Sequence, residues 1–301
     1  MQELLNGERR LIMIKVIASG WYCSLQDEGR FGYRNCGVPV SGAMDQAAFQ
    51  LANKLLGNEM GAIALEITAK GPVLEFTEAA VVAISGADFS PKIDGRELGM
   101  NVVFAVSEGS TMTFDSPSEG IRAYLAIKGG FVTEPVLGSG SYYRGITAQW
   151  QLHKGDTLRF NKNSENEVEL NSIEPSLKSV LDNEQIEVFE GPEFGLLSSP
   201  FQHKLLNTLC SVNSQSNRMA YLLDHTETLS AKQIVTAPVQ PGTVQLTPGG
   251  RLIVLMRDAQ TTGGYARIFQ LTEDAINRMS QKRAGEEIKF KRVDLPFDTH
   301  V

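Results

Sequence analysis

Short apolar runs, bounded by glycine, serine or charged residues, recur along most of the chain and predict a protein built mainly from β-strands. Residues 13–17 read as the first strand. A continuous apolar run at 252–256 is typical of a strand that is buried on both faces. Three further strands are predicted at residues 80–86, 101–106 and 123–127.

Helical periodicity is clearest over residues 44–56, where apolar side chains recur every three or four positions. Gly57 follows directly, and glycine at this position commonly ends a helix in the left-handed conformation. Two more helices are predicted, one over residues 274–281 and one within 200–209. The sequence therefore predicts a mostly β protein with a few helices.

One local pattern occurs three times, as a glycine turn followed by an alternating strand that ends on phenylalanine. Its copies are residues 109–114, 155–160 and 285–290. The second copy precedes a stretch rich in Asn, Ser and Glu, a composition that suits an exposed connector. We therefore predict two mostly β domains, residues 13–160 and 185–293, joined by a polar linker at 161–184.

Composition narrows the possible functions. The 301 residues are 42% hydrophobic and 21% charged, which is ordinary for a globular chain long enough for two domains. A net charge of −7 argues against nucleic-acid binding, which normally needs a basic surface. No run approaches the length of a membrane span, and residues 1–12 lack the apolar core of a signal peptide. These features, with three cysteines at no metal-ligand spacing, predict a cytoplasmic protein.

The most unusual segment is residues 26–45, which contain four glycines and five charged side chains with almost no apolar periodicity. Glycines at this density allow sharp turns or close approach to a ligand. Two interpretations stay open: the segment binds a ligand, or its charges pair with one another to hold a long loop in shape.

Two other polar segments are candidates for chemistry. Residues 214–219 combine hydrogen-bonding side chains with one arginine, and residues 258–265 follow the buried strand at 252–256. The second segment could present N–H groups to an oxyanion, or it could form a Gly-Gly hairpin turn with a polar cap. Glu66 lies in an otherwise apolar strand, where it would act as a general base or pair with Arg30 or Arg122.

Several common chemistries are excluded by pattern. The four histidines are scattered, and none has a second His or Cys at ligand spacing, so no zinc or iron site is expected. Neither a phosphate-binding Gly-x-x-x-x-Gly-Lys-Ser/Thr loop nor a Gly-x-Ser-x-Gly nucleophile turn occurs.

Residues 26–45 read Gln-Asp-x-Gly-Arg-x-Gly-x-x-x-x-Gly-Val-Pro-x-Ser-Gly-x-Met-Asp. This run resembles the N-terminal signature of the family formed by the C subunits of bacterial 5-oxoprolinases. The family is also called allophanate hydrolase subunit 2, and it includes an antagonist of a sporulation-kinase inhibitor. The run is also similar to one half of the carboxyltransferase domain of urea carboxylase. The resemblance continues in order through residues 51–58, 64–68, 85–88, 122–131, 214–219 and 260–265.

The resemblance implies two cyclophilin-like β-barrel domains. It also implies two partners, a smaller B subunit and an A subunit of a different fold. Together they would form an ATP-dependent 5-oxoprolinase, a hydrolase that opens the lactam of 5-oxoproline to glutamate. ATP, with or without Mg²⁺, would act at the level of the complex, and no site for a metal on this chain is predicted.

The residues of the matched motifs are the candidates for this chemistry. We expect Arg30 and Arg218, with the N–H groups of residues 261–263, to stabilise the amide oxygen and phosphate charge. Asp27, Asp45 or Glu66 would orient the attacking water. The predicted substrate-binding residues are Tyr33, Ser41, Ser214, Gln215, Asn217, Gln260, Thr261, Thr262, Gly263, Gly264 and Tyr265.

The chain departs from the family between Ser141 and Gly155, where a glycine-rich stretch is shortened. Two other functions therefore stay open. One is a biotin-dependent carboxyltransferase component, with the biotin carried by another protein. The other is a non-catalytic antagonist of a kinase-inhibitor protein, with aromatic anchors at Trp21, Tyr22, Phe31 and Tyr33. Local core packing is the alternative for these aromatics, and it is favoured for Trp21.

Overall fold

The structure, a computed structural model, describes residues 11–161 and 184–294, and the chain divides into two compact units. Of the described residues, the first unit holds 11–29 and 46–161, and the second holds 30–45 and 184–294. The segment 30–45, which the sequence analysis placed in the N-terminal domain, thus groups with the second unit. Residues 162–183 of the predicted linker lie outside the described residues.

Over its described residues, the first unit consists of two antiparallel sheets and one helix, α1 (Gln46–Leu55). Its strands are β1 (Leu11–Ala18), β2 (Tyr22–Gln26), β3 (Ala64–Thr68), β4 (Val73–Phe76), β5 (Ala80–Gly86), β6 (Lys92–Ile93), β7 (Arg96–Glu97), β8 (Val103–Val106), β9 (Thr111–Thr113), β10 (Arg122–Ile127), β11 (Phe131–Val132) and β12 (Thr157–Asn161). One sheet has the order β11-β12-β1-β4-β9-β6-β7, and the other has the order β2-β3-β10-β5-β8.

Alternation along the strands separates the faces of the five-stranded sheet. Leu65 of β3 and Leu125 of β10 point into a hydrophobic core shared with the seven-stranded sheet. Their neighbours Glu66 and Tyr124 therefore point to the opposite face, where α1 packs against β10 and β5. The Phe49 ring of α1 meets the Tyr124 ring edge-on, with centroids 6.2 Å apart.

The second unit is a closed barrel in the order β13-β20-β17-β18-β15-β14-β21. Its strands are β13 (Gln185–Glu190), β14 (Leu209–Val212), β15 (Ala220–Asp224), β16 (Ala237–Pro238), β17 (Thr243–Leu246), β18 (Leu252–Leu255), β19 (Thr262–Gly263), β20 (Ala266–Leu271) and β21 (Glu287–Arg292). Helices α2 (Ser199–Asn207) and α3 (Glu273–Gln281) complete the described part of the unit. Strands β16 and β19 pair with each other in a separate two-stranded sheet.

The first strand of the ring, β13, pairs in parallel with the last, β21, and this pairing closes the barrel. All other neighbouring strands in the ring are antiparallel. Closure pairs each strand of the ring on both of its sides. The interior is filled by inward-facing side chains such as Val244, Val254 and Ile268, which are fully buried.

The predicted mostly β class is confirmed, as are the strands at 80–86 and 123–127 and the three helices. All three turn-and-strand repeats begin at a glycine with positive φ, namely Gly109, Gly155 and Gly285. Among the described residues, no helix has the length and apolar character needed to cross a lipid bilayer.

Two predictions need correction. Helix α1 begins at Gln46, not at residue 44, because Met44 is fully buried in the hydrophobic core of the second unit. Core packing of Trp21 is also wrong, since 78% of this side chain is exposed. Tyr22, next to it, is half-buried and packs near the Trp150 ring, with centroids 6.3 Å apart.

Candidate functional site

The segment 30–45 is held to the rest of the second unit by backbone and side-chain hydrogen bonds. The Ser41 N–H donates to the Arg257 carbonyl over 3.0 Å, and the Ser41 hydroxyl donates to Asp258 Oδ1 over 2.7 Å. Ser41 has φ of 58°, a left-handed conformation that a residue other than glycine adopts only when its surroundings hold it there. The hydrogen bonds of the Ser41 N–H and hydroxyl stabilise this conformation.

Arg218 and Asp258 form a buried ion pair at the centre of these contacts. Arg218 Nε donates to Asp258 Oδ2 over 2.9 Å, and Nη2 donates to Oδ1 over 3.0 Å. Nη2 also donates to the Gly42 carbonyl over 2.6 Å. The guanidinium is thus hydrogen-bonded to protein groups, and these bonds indicate that Arg218 holds segment 30–45 in place. The predicted contact of Arg218 with phosphate stays a prediction.

Two other predicted catalytic residues of this segment are buried. Arg30 is fully buried, and its backbone N–H donates to the Val40 carbonyl over 2.6 Å, which closes the segment into a loop. Asp45 is 7% exposed and accepts a hydrogen bond from Gln281 Nε2 over 2.8 Å. Tyr33 is half-buried and precedes a short 3-10 helix, Arg34–Cys36.

The segment 214–217 is a turn that satisfies its own polar groups. The side chains of Ser214, Gln215 and Asn217 lie at the surface. The Asn213 side chain accepts from the Gln215 N–H over 2.9 Å, and the Asn217 side chain accepts from the Met219 N–H over 2.8 Å. Such local bonds explain the polar composition of the segment without a ligand, and the substrate-binding role stays a prediction.

The segment 260–265 contains a strand at the position where a Gly-Gly hairpin turn was one of the two interpretations. Thr262 and Gly263 form β19, which pairs with β16. Neither Gly263 nor Gly264 has a positive φ, which the expected hairpin turn requires. A Cβ at position 263 would lie 2.6 Å from Nε2 of the buried Gln245 side chain, so that side chain would have to shift to accommodate it. Gln260 and Thr261 are half-buried, and Tyr265 is exposed.

Asp27 belongs to the first unit and organises the loop after β11. Its carboxylate accepts from the Gly29 N–H over 2.8 Å, the Gly140 N–H over 2.7 Å and the Ser139 hydroxyl over 2.8 Å. The Ser141 hydroxyl donates to it as well. This loop lies at the start of the stretch for which the sequence analysis expects a shortening relative to the family, and Asp27 fixes its conformation.

Glu66 also belongs to the first unit and is fully buried on the α1 side of the sheet. The Tyr124 hydroxyl donates to Glu66 Oε2 over 2.9 Å, and Arg122 Nε lies 3.7 Å from Oε1. The ion pair with Arg122, one of the two interpretations of Glu66, is present. Its role as a general base stays a prediction.

A cleft of about 260 Å³ opens in the second unit beside the signature segment. Apolar surfaces of Pro192, Pro238 and Val239 line it, together with Phe269. Its polar lining residues are Arg34, Glu190, Gln240, Thr243, Arg267 and Gln270.

Two arginines line the cleft. Arg267 donates from Nε and Nη2 to the two carboxylate oxygens of Glu193 over 2.9 and 2.7 Å. These hydrogen bonds hold the pKa of Glu193 below its usual value and raise the pKa of Arg267. Arg34 Nη2 donates to the Val239 carbonyl. Sequence reasoning missed Glu193 and Arg267 as site residues. It placed Arg34 and Asp258 within the candidate segments 26–45 and 258–265 without assigning a role to either.

Gly191 shapes the back of this cleft, and its substitution gives a first prediction. A Cβ at Gly191 would lie 2.8 Å from the carbonyl carbons of both Arg267 and Ile268, which are backbone atoms of β20. We expect Gly191→Ala to lower the free energy of unfolding by about 1–3 kcal/mol, measured by urea denaturation followed by circular dichroism. Gly195→Ala is the matched control, since nothing lies within 4 Å of its added Cβ. Equal stability of the two variants would contradict the close packing at Gly191.

Within the described ranges, no group of three or more His, Cys, Asp or Glu residues could hold a metal ion. The three cysteines are free thiols, and burial raises the pKa of Cys23 and of Cys210 to about 12. Cys36, in the signature segment, is exposed.

Comparison with known proteins shows the family to which this chain belongs. The carboxyltransferase domain family, subdomains A and B, matches residues 36–292. The chain therefore belongs to this family. Among its relatives is the C subunit of the 5-oxoprolinase of Escherichia coli (strain K12), which is 33% identical over 290 residues, covering 94% of this chain and 92% of that protein.

Solved structures agree with this assignment. TTHA0988 superposes with a TM-score of 0.87 at 28% identity, covering 95% of this chain and 57% of that one. The urea carboxylase of Kluyveromyces lactis superposes with a TM-score of 0.82 at 27% identity, covering 94% of this chain and 28% of that one. The chain thus spans little more than half of the first solved relative and about a quarter of the second.

Proposed function

We propose that this chain is the C subunit of an ATP-dependent 5-oxoprolinase, active in the cytoplasm as a hetero-oligomer with a B and an A subunit. The observation that carries the proposal is the match to the Escherichia coli C subunit, which covers 94% of this chain and 92% of that protein. Because the match runs over nearly the whole length of both chains, it includes the signature segment and the motifs at 214–219 and 260–265.

The reaction is demanding because an unstrained lactam is a poor electrophile. Phosphorylation of the amide oxygen by ATP makes the ring carbon open to attack by water. The ring C–N bond then breaks as the nitrogen takes up a proton, and the resulting acyl phosphate is hydrolysed by a second water to glutamate and phosphate. The site then needs donors for the oxygen, cations for the phosphate and a carboxylate that orients water. In this proposal Arg30 and the 261–263 backbone supply the first two, and Asp45 of the same unit supplies the third. Asp27 and Glu66 stay candidates for the carboxylate from the matched motifs alone. Arg218 is a positioning residue, since it holds the signature segment through Asp258 and Gly42.

The test is 5-oxoproline-dependent ATP hydrolysis with this chain alone, with its B partner, and with A and B together. We expect phosphate and glutamate to form in equal amounts only in the complete mixture, because the activity is shared between subunits. A mixture lacking this chain is the control. Stable association with B without turnover of 5-oxoproline would contradict the proposal and would favour the antagonist of a kinase-inhibitor protein.

A second function is carboxyl transfer from biotin to urea or another amide. The superposition on Kluyveromyces lactis urea carboxylase favours it. Because this chain corresponds to 28% of that protein, a biotin carrier and the remaining activities would have to reside on other proteins. The same purified mixtures, supplied with a carboxylated biotin carrier and urea, would test this function by transfer of labelled carboxylate.

A further inference from the structure

The charged residues around the cleft in the second unit differ in how they are paired. The positive charge of Arg267 is balanced by the carboxylate of Glu193, to which Arg267 donates two hydrogen bonds. Glu190, at the rim, lies 2.6 Å from Arg292 Nη1. Among the described residues, no ion pair engages Arg34, whose side chain donates from Nη2 to the Val239 carbonyl. Its remaining N–H groups keep the planar geometry that suits a carboxylate.

The charged residues in and beside the cleft limit the net charge that a bound ligand can carry. Of the lining residues, Arg34 and Arg267 contribute two positive charges and Glu190 contributes one negative charge. Glu193, outside the lining, adds a second negative charge where it pairs with Arg267. A ligand with several negative charges, such as a triphosphate, would meet repulsion from the two carboxylates. A single negative charge next to Arg34 is accommodated, since the neighbouring carboxylates are already paired with Arg267 and Arg292.

The size and the rest of the lining indicate a small, partly apolar molecule. A volume of about 260 Å³ corresponds to the space of roughly nine waters. Pro192, Pro238 and Val239 offer apolar contact. The Gln240 side chain is exposed at the cleft and can donate to a carbonyl oxygen, as binding sites with few convergent polar groups do.

We infer that this cleft is a binding site for a small monocarboxylate whose carboxylate is held by Arg34. The identity of the ligand rests on the proposed function: the molecule is then 5-oxoproline, with its carboxylate at Arg34, its ring methylenes against the prolines and its lactam oxygen toward Gln240. Arg34 is a substrate-binding residue in this assignment.

Calorimetric titration of the full chain tests the site directly. We expect 5-oxoproline to bind, and 2-pyrrolidinone, the same ring without a carboxylate, to bind at least about tenfold more weakly, since hydrogen bonds to charged groups carry the difference. Arg34→Gln should weaken 5-oxoproline binding by at least about tenfold. Arg34→Lys, which keeps the charge without the fork, should lie between. Arg251→Gln is the matched control, an exposed arginine of the same unit outside the cleft.

The competing outcomes are distinct. Equal binding by the wild type and by Arg34→Gln, with unchanged circular dichroism, would overturn the site, as would equal affinity for the two lactams. Tighter binding of inorganic phosphate than of 5-oxoproline would overturn the carboxylate class.

The complete enzyme separates this inference from the proposed function. A complex that turns over 5-oxoproline with the same KM in the wild type and in Arg34→Gln would overturn the site and leave the function standing. A complex without turnover, combined with carboxylate binding that needs Arg34, would support the site and overturn the function. A raised KM with little change in kcat would support both.

Discussion

Replacing Asp258 by alanine is expected to lower the free energy of unfolding of the second unit by about 3–5 kcal/mol. The substitution removes the acceptor of two Arg218 hydrogen bonds and leaves a guanidinium whose side chain is 7% exposed without its carboxylate. It also removes the acceptor of the Ser41 hydroxyl. Both tryptophans, Trp21 and Trp150, lie in the first unit, so hydrogen exchange in barrel peptides is the appropriate measurement.

The control for this prediction is an exposed ion pair of the same unit. Lys204 and Glu227 approach within 2.6 Å with side chains 39% and 41% exposed, so Glu227→Ala should change the stability by no more than about 0.5 kcal/mol. Arg218→Met combined with Asp258→Leu should recover much of the loss, because it removes both buried charges. Equal effects of Asp258→Ala and Glu227→Ala would show that the buried pair does not stabilise the segment.

Local patterns predicted the elements of this protein well because each depends on neighbours in sequence. The periodicity that defines α1 and the alternation that defines β5 and β10 are satisfied within a few residues. The start of α1 was two residues off because Met44 packs in a core formed by strands more than a hundred residues later. Trp21 was misjudged for a similar reason: an aromatic residue beside a strand gives no local sign of which face is covered.

The candidate site was predictable in its residue types but not in its pairings. Glycine density and charge singled out segment 26–45, yet nothing local shows that Ser41 meets Asp258, which lies 217 residues away. The Gly-Gly pair at 263–264 made a hairpin turn one of two interpretations, whereas Gly263 lies in β19, which pairs with the distant strand β16. The carboxylate of Asp27 likewise binds a loop 112 to 114 residues away.

Substitutions at Glu66 distinguish most clearly between a structural role and a catalytic role. Its carboxylate is fully buried, Arg122 Nε lies 3.7 Å away, and the Arg122 side chain is 4% exposed. We expect Glu66→Ala to lower the free energy of unfolding of the first unit by about 3–5 kcal/mol, because Arg122 loses its opposite charge in a buried place. Tryptophan fluorescence during urea denaturation measures this, since both tryptophans report on that unit.

Glu66→Gln refines the experiment, because the amide oxygen can still accept the Tyr124 hydroxyl while the charge is lost. An ion-pair role predicts that this variant is also destabilised and that activity of the assembled complex follows the folded fraction. The control is Glu75→Ala, which breaks an exposed pair with Lys15 in the same unit and should change the stability by no more than about 0.5 kcal/mol. Wild-type stability of Glu66→Gln together with loss of turnover would contradict the structural role. Such a result would support the general-base role of Glu66, because activity would then depend on its charge while folding would not.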